Sequence, residues 1–98
     1  MVCGVMSEIP ILPGRLKQEN IDREILRAAI IAELDAISLY EQLADSTDNT
    51  AIKKVLLDIA REEKTHVGEL LTLLLTLDKE QEEELEKGKK EVEEILEE

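Results

Sequence analysis

Beyond residue 14 the chain contains no proline and only two glycines, Gly68 and Gly88. Proline removes a backbone donor and glycine weakens a helix, so punctuation this sparse permits long helices. The apolar residues recur at the three-to-four spacing of a helix face. Ile21, Ile25, Leu26, Ala29, Ile30, Glu33, Ile37 and Tyr40 share one stripe. Ile52, Val55, Leu56, Ile59, Glu63, His66, Val67 and Leu70 share a second. Between them lies Ser46-Thr47-Asp48-Asn49-Thr50, a cluster of turn and capping residues. The pattern predicts an all-α fold. One helix starts near Asn20, a good N-cap, with Asp22 and Glu24 where the helix dipole favours acids, and runs to about Asp45. A second runs from the turn to about Leu77, and so short a connection makes the two antiparallel. Residues 20–78 therefore read as a helical hairpin. Residues 1–19, with Gly4, Pro10, Pro13 and Gly14, read as an irregular arm whose Ile9, Ile11 and Leu12 could dock on a neighbour. Residues 79–98 read as a short acidic C-terminal helix that Asp78 can cap.

The chain has 98 residues, of which 43% are hydrophobic, yet it has no Phe, no Trp and one Tyr. Its core must be built from Leu, Ile, Val and Ala, and a monomer this small is only marginally stable. Around Leu70–Leu77 the apolar positions 70, 71, 73, 74, 75 and 77 sweep right round the helix. A helix apolar on all sides must be covered on all sides, and two helices cannot do it. Burying one leucine is worth about 1.5–3 kcal/mol, so the hairpin requires partner chains: a homo-oligomer, with two hairpins pairing into a four-helix bundle.

The formal net charge is -12, which excludes nucleic acid bound by phosphate neutralisation and disfavours anionic lipid. From Asp78 onward there are 11 acids and 4 bases, a net of -7, and Leu85, Val92, Ile95 and Leu96 give only a thin apolar stripe, so this helix reads as solvated. Cys3 is the only cysteine, so an intrachain disulfide or a Cys-x-x-Cys metal site is excluded and a reducing cytoplasm is expected. The first residues, MVCGVMSEIPILPG, lack the basic and long apolar regions of a signal peptide. The longest dense apolar run, LLTLLLTL, has 8 residues against the roughly 20 of a spanning helix, so no membrane partner is expected.

Glu63-Lys64-Thr65-His66 is a Glu-x-x-His, and residues i and i+3 of a helix share a face. Alone it means little, because in so Glu-rich a helix an acid often precedes a histidine by three residues. Glu33 gives it weight. It interrupts the stripe of Ala29, Ile30 and Ile37 just as Glu63 and His66 interrupt theirs, and a carboxylate on a buried face is costly unless paired or metal-bound. Glu33 precedes the turn by about as many residues as separate the turn from Glu63 and His66, so at ~1.5 Å per residue all three fall at one level of the hairpin. Two paired hairpins double the set: a Glu from each of two helices and a Glu-x-x-His from each of the others. This matches a ligand set already known from dinuclear sites in ferritin-like bundles. Carboxylates with imidazole suit iron or manganese, and zinc would also bind.

Tyr40, seven residues after Glu33, could hydrogen-bond a ligand carboxylate, although an ordinary core-edge tyrosine fits as well. Asp35 and Glu62 could form an acidic approach path for cations, and Asp58 could support the histidine; solvated surface is the plainer reading of such residues and is favoured for Glu69. Cys3 is read as incidental.

At these residues the chain resembles the encapsulated ferritins, half-length ferritin-like proteins carried by, or fused to, encapsulin nanocompartments. The stretches that carry the resemblance are AIIAELDAISLYEQLA (29–44) and LLDIAREEKTHVGELLTLLL (56–75), about half the chain with the turn between them. They look most like the archaeal type fused ahead of a shell domain. The resemblance implies two-helix protomers pairing into a ferritin-like four-helix bundle, and a ring-shaped decamer of five dimers. It implies di-iron centres between subunits held by Glu33, Glu63 and His66, with Tyr40 close by, and oxidation of Fe²⁺ to Fe³⁺ by oxygen inside a cytoplasmic encapsulin shell that stores the mineral. There are departures. Ala32 stands where members can carry a second glutamate, Leu39 replaces an aromatic of some members, and EVEEILEE does not look like a hydrophobic shell-docking peptide.

The leading expectation is a ferroxidase acting on iron at an inter-subunit di-iron site, with the catalytic set Glu33, Glu63, His66 and Tyr40. A rubrerythrin-like peroxidase is the alternative, though with one cysteine the chain cannot hold the four-cysteine centre that commonly relays its electrons. A non-enzymatic helical scaffold is the third. It requires Glu33 to find a basic partner, for which Arg23, Arg27, Arg61 and Lys64 are the candidates.

Overall fold

The computed structural model describes residues 18–98, so the expected arm over 1–19, with Cys3, Ile9, Ile11 and Leu12, lies outside the described residues except for its last two. Three helices follow in order, α1 Gln18–Asp45, α2 Thr50–Leu77 and α3 Lys79–Leu96, and no strand occurs among the described residues. The expected helix boundaries agree closely. The difference is at α1, which is already helical at Gln18. Asn20 therefore sits inside the helix and does not cap it; its side-chain oxygen accepts from the Arg23 guanidinium one turn on.

The turn closes by local chemistry. The Ser46 amide still reaches back to the Gln42 carbonyl at 3.1 Å, and the Asn49 amide donates to Thr47 Oγ1 at 3.1 Å. Asn49 is extended and caps α2, accepting from the Ile52 amide at 3.0 Å. Long-range ion pairs then run in reverse order along the two helices. Glu41 near the end of α1 meets Lys64 in the middle of α2, and Arg27 near the start of α1 meets Asp78 just past the end of α2. The hairpin is antiparallel, as the short connection requires.

Its seam is thin. Among the described residues the only fully buried hydrophobic side chains are Ala44, Ala60 and Leu74. Ile25, Leu34, Ile52, Val55, Leu73 and Leu77 are large apolar residues left about half exposed. Scattered exposed leucines are ordinary, but a chain with more large apolar residues outside than inside has an unfilled requirement for burial. This is the all-round apolar helix of residues 70–77 in structural form. Leu74 is covered, whereas Leu73 and Leu77 are left about half exposed.

Asp78 alone separates α2 from α3. Its amide closes α2 on the Leu74 carbonyl at 2.9 Å, and its carboxylate caps α3 by accepting from the Gln81 amide at 3.0 Å. The same carboxylate receives the Arg27 guanidinium at 3.0 Å, which ties the joint to α1. A 28-residue helix is about 42 Å long, so extents of 47 × 46 × 19 Å mean that α3 leaves the hairpin sideways in one flat plane. No residue of α3 is buried, and Leu85, Val92, Ile95 and Leu96 are exposed.

Candidate metal centre

Glu33 projects from α1, while Glu63 and His66 project from α2 one turn apart, so both carry their side chains to one level of the hairpin. Among the described residues these three form the group of potential metal ligands that converges, one donor atom from each lying within 4.8 Å of the others. His66 Nδ1 stands 3.5 Å from Glu33 Oε2 and 3.4 Å from Glu63 Oε2. Two donors each about 2.1 Å from one ion lie roughly 3.0–3.4 Å apart at right-angled to tetrahedral geometry, so these separations suit a shared cation. The side chains of Glu33 and Glu63 are 25% and 19% exposed, and that of His66 is 47% exposed. The cluster thus opens on the flank of the hairpin beside the uncovered apolar surface. Leu73 and Leu77 follow His66 by seven and eleven residues, the spacing of one helix face.

The Glu33 carboxylate carries the test of fit. Its Oε2 is buried and has no hydrogen-bond partner, and the imidazole at 3.5 Å is too distant for one. A buried anionic oxygen without a partner is expensive. The four bases that could have neutralised it are engaged elsewhere: Arg23 with Asn20, Arg27 with Glu24 and Asp78, Arg61 with Asp58, and Lys64 with Glu41. Two carboxylates and one imidazole, with one buried oxygen free of any hydrogen bond, are a donor set that fits a divalent transition-metal cation.

The remaining expected residues divide. Tyr40 and Asp35 are half-buried on α1, and Glu62 is exposed beside Glu63. Asp58 turns to Arg61 at 2.8 Å on an exposed surface, and that ion pair accounts for its carboxylate. The Arg27–Asp78 and Lys64–Glu41 ion pairs, which tie α1 to the far part of the hairpin, leave no periodic trace in the sequence. Their only signal is opposite charge, which becomes informative once the register of the hairpin is known.

The sequence profile of the rubrerythrin family matches residues 24–97. The chain belongs to the rubrerythrin family. Within it, the chain is 61% identical over 72 residues to the ferritin-like–encapsulin shell fusion protein of Pyrococcus furiosus, a match covering 74% of this chain and 21% of that one. It is 38% identical over 71 residues to the encapsulin nanocompartment cargo protein EncC of Myxococcus xanthus, covering 72% of this chain and 54% of that one. The matched region is thus about a fifth of the first of these curated relatives and about half of the second. Its fold superposes on the crystal structure of the encapsulated ferritin domain from Pyrococcus furiosus with a TM-score of 0.78 at 50% identity, covering 89% of this chain and 94% of that domain. This rubrerythrin-family chain is therefore an encapsulated-ferritin-type helical domain. Among the described residues no helix is long and apolar enough to cross a membrane.

Proposed function

We propose that this chain is half of a ferroxidase centre, oxidising Fe²⁺ to Fe³⁺ with oxygen and passing the ferric product to storage. The observation that carries this reading is the convergence of Glu33, Glu63 and His66 around a buried carboxylate oxygen with no hydrogen-bond partner, while Arg23, Arg27, Arg61 and Lys64 pair elsewhere. Two hairpins pair through their uncovered apolar faces. Glu33 and His66 of each chain would hold one Fe²⁺, with Glu63 of each chain supplying a further carboxylate to the pair. Iron is the substrate, with manganese and zinc as competing ions. Each of the two Fe²⁺ ions gives up one electron, and dioxygen takes both with two protons from solvent and leaves as hydrogen peroxide. The carboxylates favour that direction, because two anionic oxygens stabilise the ion of charge three more than the ion of charge two. The chain's part is to fix the donors and leave coordination positions open. Tyr40 steadies a ligand carboxylate, and Asp35 and Glu62 lie on the approach path of the cation.

The relatives named for encapsulin support a shell partner and a place inside a nanocompartment; a ring of five dimers is the assembly proposed for the paired hairpins. The family match also supports a peroxidase reading, in which peroxide replaces oxygen and a separate protein supplies electrons. Comparing iron oxidation rates with oxygen and with peroxide separates the two. The assignment itself is tested by anaerobic iron loading followed by metal analysis. One iron per chain is expected, and undiminished binding by a Glu33→Ala, His66→Ala double variant would sink the reading.

A further inference from the structure

Nothing in the local sequence stops α2 at Leu77. Residues 74–84 (LLTLDKEQEEE) contain no glycine and no proline, and Leu, Lys, Glu and Gln are good helix formers. The break is carried by Asp78 alone, at φ −134° and ψ 89°, a non-helical conformation open to any residue. The direction of α3 therefore depends on what grips Asp78. Its amide closes α2 on the Leu74 carbonyl, and its Oδ1 caps α3 at the Gln81 amide. Both partners lie within four residues, so these bonds end one helix and begin the next without fixing the angle between them. The third bond is different in kind. Asp78 Oδ2 accepts from Arg27 Nη2 at 3.0 Å, 51 positions back in α1. The other arm of the same guanidinium, Nη1, donates to Glu24 Oε1 at 2.7 Å, one turn earlier in α1. One planar fork is thus anchored to α1 by one nitrogen and to the joint by the other, a task that suits arginine and not lysine. We infer that Arg27 is the latch of an ionic elbow: it fixes the direction in which α3 leaves the hairpin, and salt releases it, so that α3 swings as an intact helix.

Burial makes this pair both consequential and releasable. The Asp78 side chain is 15% exposed, so its half of the pair is shielded from water. The Arg27 side chain is 42% exposed and borders a cavity of about 530 Å³, so dissolved ions reach the other half. A pair between two exposed side chains shifts an equilibrium by up to about fivefold. With a shielded carboxylate and a guanidinium oriented beforehand by Glu24, about fivefold is the least expected here. Leverage makes the release visible. Glu91 lies roughly 20 Å along α3 from the joint at ~1.5 Å per residue, so a swing of about 30° displaces it by roughly 10 Å. The hinge is one residue at the end of an element, the usual seat of such motions. None of Glu33, Glu63 and His66 takes part, so the latch stands independently of the metal centre.

The test reads the angle within one chain. Cys3→Ser removes the native thiol, and Gln42→Cys with Glu91→Cys puts one spin label on an exposed position of α1 and one on α3. This chain is co-expressed with an excess of the Cys3→Ser chain, which takes no label, so that double electron–electron resonance reports distances inside single protomers. One narrow distance is expected at low salt. Arg27→Met should spread it by roughly 10 Å and raise the odds of displaced over latched α3 at least about fivefold. Circular dichroism and exchange at the Gln81 amide should stay unchanged in that variant, because Asp78 still caps α3. Arg27→Lys should restore the narrow distance only in part, since one ammonium cannot reproduce the fork. At 1 M salt, where the Debye length is ~3 Å, the unaltered protein should move toward the Arg27→Met distribution. Leu75 and Leu85 border the cleft inside the bend and are the rival means of fixing its angle. A distance left narrow and unshifted by Arg27→Met overturns the latch, and a shift produced by Leu85→Ala instead assigns the angle to apolar packing. Should Arg27→Met fail to fold, the salt titration of the unaltered protein decides, and a distribution unchanged up to 1 M refutes the inference.

Discussion

Leu73 and Leu74 are neighbours in sequence with opposite surroundings, and that contrast measures whether the hairpin is covered by a second copy. Leu74 is 4% exposed, whereas Leu73 is 54% exposed. Leu74→Ala removes a fully buried side chain and leaves a cavity, which costs about 2–5 kcal/mol. In a lone chain Leu73→Ala gives up less than half of a leucine's transfer free energy, roughly 1 kcal/mol or below. Once a partner hairpin covers Leu73, its loss approaches the cost at Leu74. The Leu73→Ala penalty therefore rises by about 1–4 kcal/mol from the lone to the paired state, and grows with protein concentration, because only the paired state contains the covered leucine. Urea denaturation followed by circular dichroism, repeated across a hundredfold range of concentration, reads it directly. Leu74→Ala should be strongly destabilising throughout. Leu73→Ala should be mild at the dilute end and severe at the concentrated end, a change of several degrees in midpoint if measured thermally, at roughly 4–8 °C per kcal/mol. A Leu73→Ala penalty that stays small at every concentration would refute the claim that this face is an interface.

Glu33→Leu should raise the stability of the metal-free protein by about 1–3 kcal/mol, because it removes an unsatisfied buried oxygen, while abolishing the thermal stabilisation conferred by Co²⁺ or Fe²⁺; paired melts with and without metal check both halves. Asp78→Ala removes the α3 cap and the Arg27 contact together, and should cost about 1 kcal/mol of α3 helicity, seen as faster hydrogen exchange at the Gln81 amide. Unchanged protection there would show that the joint is held by something else. Lys64→Met breaks an exposed ion pair with Glu41 and should change stability by less than about 1 kcal/mol, with iron stoichiometry unaltered in metal analysis, even though Lys64 lies between Glu63 and His66 in sequence.

Much of this architecture was legible because its signals are local. Asp78 caps the helix expected of it, and within the turn cluster 46–50 it is Asn49 that caps α2. Glu33, Glu63 and His66 stood out because each occupies an apolar stripe, and a reverse-order register brings such interruptions together. What escaped depends on direction and on long side chains. The sideways course of α3 follows from the backbone of one residue, Asp78, at φ −134° and ψ 89°, and from an ion pair to Arg27 across 51 positions. Neither leaves a periodic trace. At the start of α1, Asn20 has the character of a cap, but its oxygen is taken by Arg23 and the helix begins earlier. Asp58 lies close to the ligands in sequence, yet Arg61 one turn away claims its carboxylate.

Anomalous scattering at the iron edge, from crystals grown after anaerobic loading, tests the central claim most directly. One peak per chain should lie within bonding distance of Glu33, Glu63 and His66, with its counterpart from a second hairpin beside it. Iron found elsewhere on the surface, or a loaded crystal in which these three side chains face open solvent with no ion among them, would contradict it.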